Sequence, residues 1–200
     1  MRSASRTCRL PWVVLLVFVS VAAILTADPG RAQPQPDVAA KAQRLNELFG
    51  RLKSTTDEGE ADAAVAEIWR LWQRTGTPEI DELMERVATL IGQGMLPLAL
   101  PILDDMVARA PDWAEAWNKR ATALYLAGEH DRSLADIDRV LALEPRHFGA
   151  LAGAGLIRIA KGQYRQALAA YRRALTINPF LKERLELIPA LERMVGEKPI

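Results

Sequence analysis

Cysteine is almost missing from this 200-residue chain: Cys8 is the only one, and it precedes the apolar run from Pro11 to Leu25. A lipid-modified cysteine would follow such a run, so Cys8 cannot be one, and no intramolecular disulfide is available to staple a fold. Histidine is nearly as scarce. His130 and His147 both fall in turn-like sequence, and His130 has only Glu129 and Asp131 beside it, whereas catalysis or metal binding needs convergent partners. Turn polarity accounts for both, no nucleophile is flanked by a base, and neither metal nor cofactor is expected. Aromatics make up only 6% of the residues, and β-branched runs are rare beyond the first 25 positions, which argues against strands. An excess of one charge is absent too. Lys and Arg total 26 against 25 Asp and Glu, so no long-range field draws in nucleic acid or an anionic membrane.

What is present is leucine and alanine in a chain that is 50% apolar, enough for one helical domain with a real core. The first 32 residues differ from the rest. Arg2, Arg6 and Arg9 form a basic start, the apolar run follows, and Gly30-Arg31-Ala32 sets small residues at −3 and −1 of a cut before Gln33. This pattern predicts a secretory signal peptide over 1–32 and a mature protein that is periplasmic or secreted, with no membrane contact. The alternative is an uncleaved anchor, for which the run is short of the ~20 residues a bilayer needs.

Three prolines, Pro111, Pro145 and Pro179, recur 34 residues apart, and so do three glycines, Gly94, Gly128 and Gly162. Each glycine separates two apolar-periodic stretches, and each proline closes the second. A glycine supplies the positive φ that ends a helix, and a proline cannot continue one. The chain is therefore a tandem of helix, turn, helix units, all-α.

The period and the residue types resemble the tetratricopeptide repeat (TPR) family. In the unit starting at Ala114, Trp117, Ala121, Ser133, Ile137, Val140 and Pro145 stand at family positions 4, 8, 20, 24, 27 and 32. Leu151, Gly155, Ala167, Tyr171, Ala174 and Pro179 match them in the unit starting at Phe148, and Leu83, Val87, Ala99, Leu103, Met106 and Pro111 in a weaker one starting at Ile80. Leu48, Leu52, Ala64, Ile68 and Leu71 keep the spacing less well. The expected organisation is a mobile lead-in over 33–43, a degenerate helix pair over 44–79, repeats over 80–113, 114–147 and 148–179, and a capping helix and tail over 180–200. Leu181, Leu185, Ile188, Leu191 and Val195 would form the apolar face of that cap, kinked or split near Pro189. Three features depart from the family: Arg120 where leucine is usual, Pro101 inside a second helix, and the long polar turn Ser54 to Asp62.

The resemblance implies a right-handed α-solenoid in which position 8 meets position 20 where the two helices of a repeat cross, so that Gly155 would face Ala167, while Asp131 could cap the helix that follows Gly128. It also implies a non-catalytic scaffold holding another protein or a peptide in its concave groove. The groove-facing positions of the first helices include Met84, Asn118, Thr122, Tyr125, Leu156 and Ile159, a polar middle and an apolar end. The Lys and Asn arrangement that clamps C-terminal carboxylates in some chaperone-binding members is absent. An amphipathic helix or extended segment is the expected ligand, unless the chain's own C-terminal segment covers Leu156 and Ile159. A self-associating structural protein, or an accessory or chaperone subunit of an envelope complex, are the alternatives. Trp69, Trp72, Trp113 and Trp117 are expected in packing rather than as a ligand cage.

Overall fold

The computed structural model describes residues 36–196, so the expected signal segment lies outside the described residues. Among those described, every regular element is helical: α1 (Pro36–Ser54), α2 (Glu58–Trp72), α3 (Pro78–Gly92), α4 (Leu96–Arg109), α5 (Ala114–Leu126), α6 (His130–Leu143), α7 (Phe148–Ala160), α8 (Tyr164–Ile177), a 3-10 turn (Lys182–Arg184) and α9 (Leu187–Val195). The pairs α3–α4, α5–α6 and α7–α8 stack in order as a helical solenoid.

The periodic glycines do what their spacing requires. Gly94, Gly128 and Gly162 sit at φ of 71°, 78° and 71°, just beyond the ends of α3, α5 and α7. The next residue in each case donates its N–H back across the turn: Met95 to Leu90 O at 2.8 Å, Glu129 to Leu124 O at 2.8 Å and Gln163 to Arg158 O at 2.7 Å. This is a Schellman closure repeated three times, and a Cβ at the glycine would be strained in each. The prolines act one step later, each directly after the residue that caps a second helix: Ala110, Glu144 and Asn178. Helix α4 runs unbroken through Pro101; the Pro97 carbonyl that loses its bond there belongs to an exposed residue, so water can satisfy it.

The crossings within repeats differ in detail. Ser133 Oγ donates to Ala121 O at 2.6 Å, joining positions 20 and 8 of one repeat. In the next repeat the atoms nearest the open side of Gly155 belong to the Tyr171 ring: a Cβ at Gly155 would lie 2.4 Å from Cε2. The ring fills the space because no side chain opposes it. Arg120 keeps a charge in a helix face where leucine is usual by gripping Asp136 at 2.7 and 2.8 Å and Asp104 at 3.0 Å, which ties successive second helices together and lies 4.8 Å over the Trp117 ring. Its guanidinium is held above its ordinary range, chiefly by the bond to Asp136. Asp131 does not cap α6; Glu129 precedes that helix, and the Asp131 carboxylate pairs with Lys161, which holds it below the usual carboxylate range.

The two ends depart most from expectation. From Pro36 on, the expected mobile lead-in over 33–43 is instead helix α1. α1 and α2 form a hairpin clasped by Arg44, which donates to Glu67 at 2.9 and 2.8 Å. The buried side chains of this hairpin, Leu48, Phe49, Leu52, Ile68 and Trp72 among them, share a core with Phe148, Leu151, Ala174, Ile177 and Leu181 of the third repeat and its exit rather than with α3 and α4. At the other end the apolar run is broken. Leu181 joins the hairpin core, Leu185 is exposed, and the chain turns before α9 lays Ile188 and Leu191 on Ala167, Leu168 and Tyr171. Pro189 sits in the first turn of α9, where a missing N–H costs nothing.

Candidate functional site

The six groove positions separate into three environments. Asn118, Thr122, Tyr125 and Leu156 line one groove of about 300 Å³ between α5 and α7, floored by Ala121 and Ile137 and walled by Ala152 and Leu126. Met84 is buried against Val87 and Leu103 and touches only a different cleft, between α2 and α3. Ile159 is half-buried against the cluster that α8 and α9 form, whereas Leu156 is 41% exposed. The expected apolar wall is thus divided between that cluster and the groove.

The α5–α7 groove owes its shape to small residues. Gly149, Ala152 and Gly153 keep the facing side of α7 low, and the side chains of α5 stand opposite. Its rim is apolar and unclosed, with Leu126 53% exposed. Its polar groups are partly engaged: Asn118 Nδ2 donates to Glu115 Oε2 at 2.9 Å, Thr122 Oγ1 donates to Asn118 O at 3.0 Å, and the Tyr125 ring stacks on His130 at 5.7 Å. No charged side chain lines it, so any ligand is held by apolar contact with a few polar anchors.

One end of this groove is closed by the hairpin, through residues that turn polarity alone does not explain. His147 is completely buried. It caps α7 by accepting the Ala150 N–H at Nδ1 (3.1 Å), which leaves the ring hydrogen on Nε2 to donate to Glu115 Oε2 at 3.1 Å. The ring stacks flat on Trp72, with centroids 4.1 Å apart and planes 10° apart, and Trp69 meets it edge-on at 5.5 Å. Trp69 also covers Gly149, where a Cβ would lie 2.5 Å from its ring. One repeat earlier, Trp113 Nε1 donates to Trp72 O at 2.7 Å; one repeat later, Leu181 enters the hairpin core. Trp113, His147 and Leu181 are 34 residues apart, each the residue before a repeat's first helix or its successor. The hairpin therefore docks along one register of the solenoid. The tryptophans are packing residues, as expected, while the role of His147 as a buried bridge was hidden; the periodic 113, 147, 181 register was the one signal in the sequence that could have revealed it.

Among the described residues no group of three or more His, Cys, Asp or Glu is placed to hold a metal ion, and no helix is long and apolar enough to cross a membrane.

The family model for the tetratricopeptide repeat matches residues 149–180. A TPR repeat-containing protein of Rhizobium etli is 38% identical over 157 residues, which is 78% of this chain and 77% of that protein. Among solved structures, the first TPR of Spaghetti bound to an HSP90 peptide superposes with a TM-score of 0.57 at 18% identity, covering 60% of this chain and 96% of that one. MamA superposes at 0.55 with 20% identity, covering 71% and 86%. At such identities the likeness concerns the fold.

Proposed function

Because the chain belongs to the tetratricopeptide repeat family, we propose that it is a non-catalytic scaffold, exported from the cell interior, that holds a partner protein's helix or extended segment in the groove between α5 and α7. The observation that carries this reading is the open apolar stripe of Leu126 and Leu156 beside the anchors Thr122 and Tyr125, whereas Met84 is buried in the core of its own repeat and Ile159 is half-buried against the α8–α9 cluster. A ligand laying apolar side chains on that stripe would bury it, with Asn118, Thr122 or Tyr125 fixing its register. The recognition of an HSP90 peptide by the Spaghetti domain is a precedent for peptide binding on this fold, although the ligand here would be recognised by apolar contact. The basic start, apolar run and Gly30-Arg31-Ala32 site support export.

Photocrosslinking in cells from position 156, followed by mass spectrometry, tests the groove. A discrete partner should be captured, and Tyr125→Ala or Leu156→Glu should abolish capture without changing helicity. Capture that survives both substitutions would place the partner elsewhere. N-terminal sequencing of the exported protein should begin at Gln33; a full-length chain retained in membranes would refute cleavage.

A further inference from the structure

Docking of the hairpin creates a second cleft. About 550 Å³ lies between α2 and α3, and its two walls carry opposite charge: Arg70 projects from α2 and Arg74 from the turn just after it, Glu82 and Glu85 from α3. Trp69 and Met84 lie between them, and Ala88 leaves one side low. Among the described residues, the side chains of Arg74, Glu82 and Glu85 make no ion pair, and Arg70 reaches only Glu67 of its own helix at 3.6 Å. Lys119, also in the cleft, is turned to Glu115 at 3.6 Å. Opposite charges on two adjacent helices would pair across a direct contact; here the cleft holds them apart. One wall is a face of α2, residues 66, 69 and 70, continued by Gln73 and Arg74 of the turn that follows it; the other is a face of α3, residues 78, 81, 82, 85 and 88 at helical spacing. Two helix faces set around a gap offer the ridges and grooves into which a third helix packs.

We propose that the cleft between α2 and α3 is a second docking site, distinct from the α5–α7 groove, for an amphipathic partner helix whose apolar stripe is flanked by carboxylates on one side and by lysines or arginines on the other. The acidic flank lies along Arg70 and Arg74, the basic flank along Glu82 and Glu85, and the stripe meets the open side of Trp69 between Ala66 and Ala88. A helix acidic on both flanks faces repulsion from α3, and one basic on both flanks faces it from α2. The site thus rejects uniformly charged helices and accepts the mixed one, a selection by charge geometry rather than by net charge.

The test uses three synthetic stapled helices of about 14 residues with one common leucine stripe, carrying Glu on one flank and Lys on the other, Glu on both, or Lys on both. Binding to the purified chain is followed by fluorescence anisotropy. The mixed helix should bind about tenfold more tightly than either uniform one, and the advantage should shrink as salt is raised. Glu82→Lys with Glu85→Lys should transfer the preference to the all-Glu helix, and Arg70→Glu with Arg74→Glu to the all-Lys helix. All four positions are exposed, so circular dichroism should stay unchanged in both variants. Leu156→Glu, which tests the other groove, should leave mixed-helix binding intact. Equal binding of the three helices, binding of none, preferences that ignore the charge reversals, or loss of binding in Leu156→Glu would each overturn the assignment.

Discussion

Gly155 offers the sharpest test of the repeat packing, because two effects of known sign oppose each other there. Alanine in the middle of a helix is favoured over glycine by about 1 kcal/mol, so Gly155→Ala would stabilise α7 if nothing touched the new methyl. The added Cβ, however, would lie 2.4 Å from Tyr171 Cε2 and 2.8 Å from both Cδ2 and Cζ. Ordinary carbon contacts begin about 1 Å further out. The ring cannot swing aside, since Tyr171 is fully buried between α7 and the cap residues Ile188 and Leu191, so α7 and α8 must separate. Overpacking of this kind costs about 1–3 kcal/mol, against which the propensity gain recovers only part. The expected outcome is a net loss of up to about 2 kcal/mol, read as a lower urea midpoint at unchanged m and a melting temperature reduced by up to roughly 8 °C. Gly155→Leu should cost more. In a double-mutant cycle with Tyr171→Leu, the two changes should compensate by about 1 kcal/mol or more, since the shorter side chain makes room for the methyl. A Gly155→Ala protein more stable than the parent, or a cycle with no coupling, would refute the close contact between Gly155 and Tyr171.

Tyr171 supplies a pH prediction. Burial pushes its hydroxyl above the ordinary value of 10.0, so the folded protein holds that proton more tightly than the unfolded chain, and the associated stability is full below pH 10 and falls as the pH rises beyond it. Among the described residues the hydroxyl has no hydrogen-bond partner, so Tyr171→Phe should change the neutral-pH midpoint by less than about 0.5 kcal/mol and flatten the alkaline decline in a urea titration series; an unchanged decline would locate its source elsewhere. Gly149→Ala should lift Trp69 off α7, destabilising the docked hairpin by about 1–3 kcal/mol, with a red shift of tryptophan emission and faster hydrogen exchange in α1 and α2; identical emission and exchange would mean that the hairpin does not depend on that contact. Truncation after Pro179 should uncover Ala167, Leu168 and Tyr171 and withdraw Leu181 from the hairpin core, so the shortened chain should aggregate on gel filtration; a stable monomer would assign the cap another role.

The repeat architecture was legible because its determinants are local. A glycine at positive φ, a proline after a helix end and small residues at a crossing each act on the few residues around them, so the 34-residue spacing of Gly94, Gly128 and Gly162 and of Pro111, Pro145 and Pro179 specified the turns and helix ends before any packing was known. The groove positions of α5 and α7 came only from the family resemblance laid over that register. The placement of the N-terminal hairpin came from neither. Leu48, Leu52 and Ile68 read as the apolar face of a helix pair, but an apolar face does not state which surface will cover it, and the choice fell on residues such as Arg146, whose bond to Asn46 spans 100 positions. The same applies to His147, whose neighbours in sequence suggest a turn and whose neighbours in space are Glu115 and Trp72. Periodicity thus determined the solenoid and the phase of each helix, whereas the division of the groove into two clefts was decided by tertiary structure, because it depends on shape and desolvation between segments that no local rule connects.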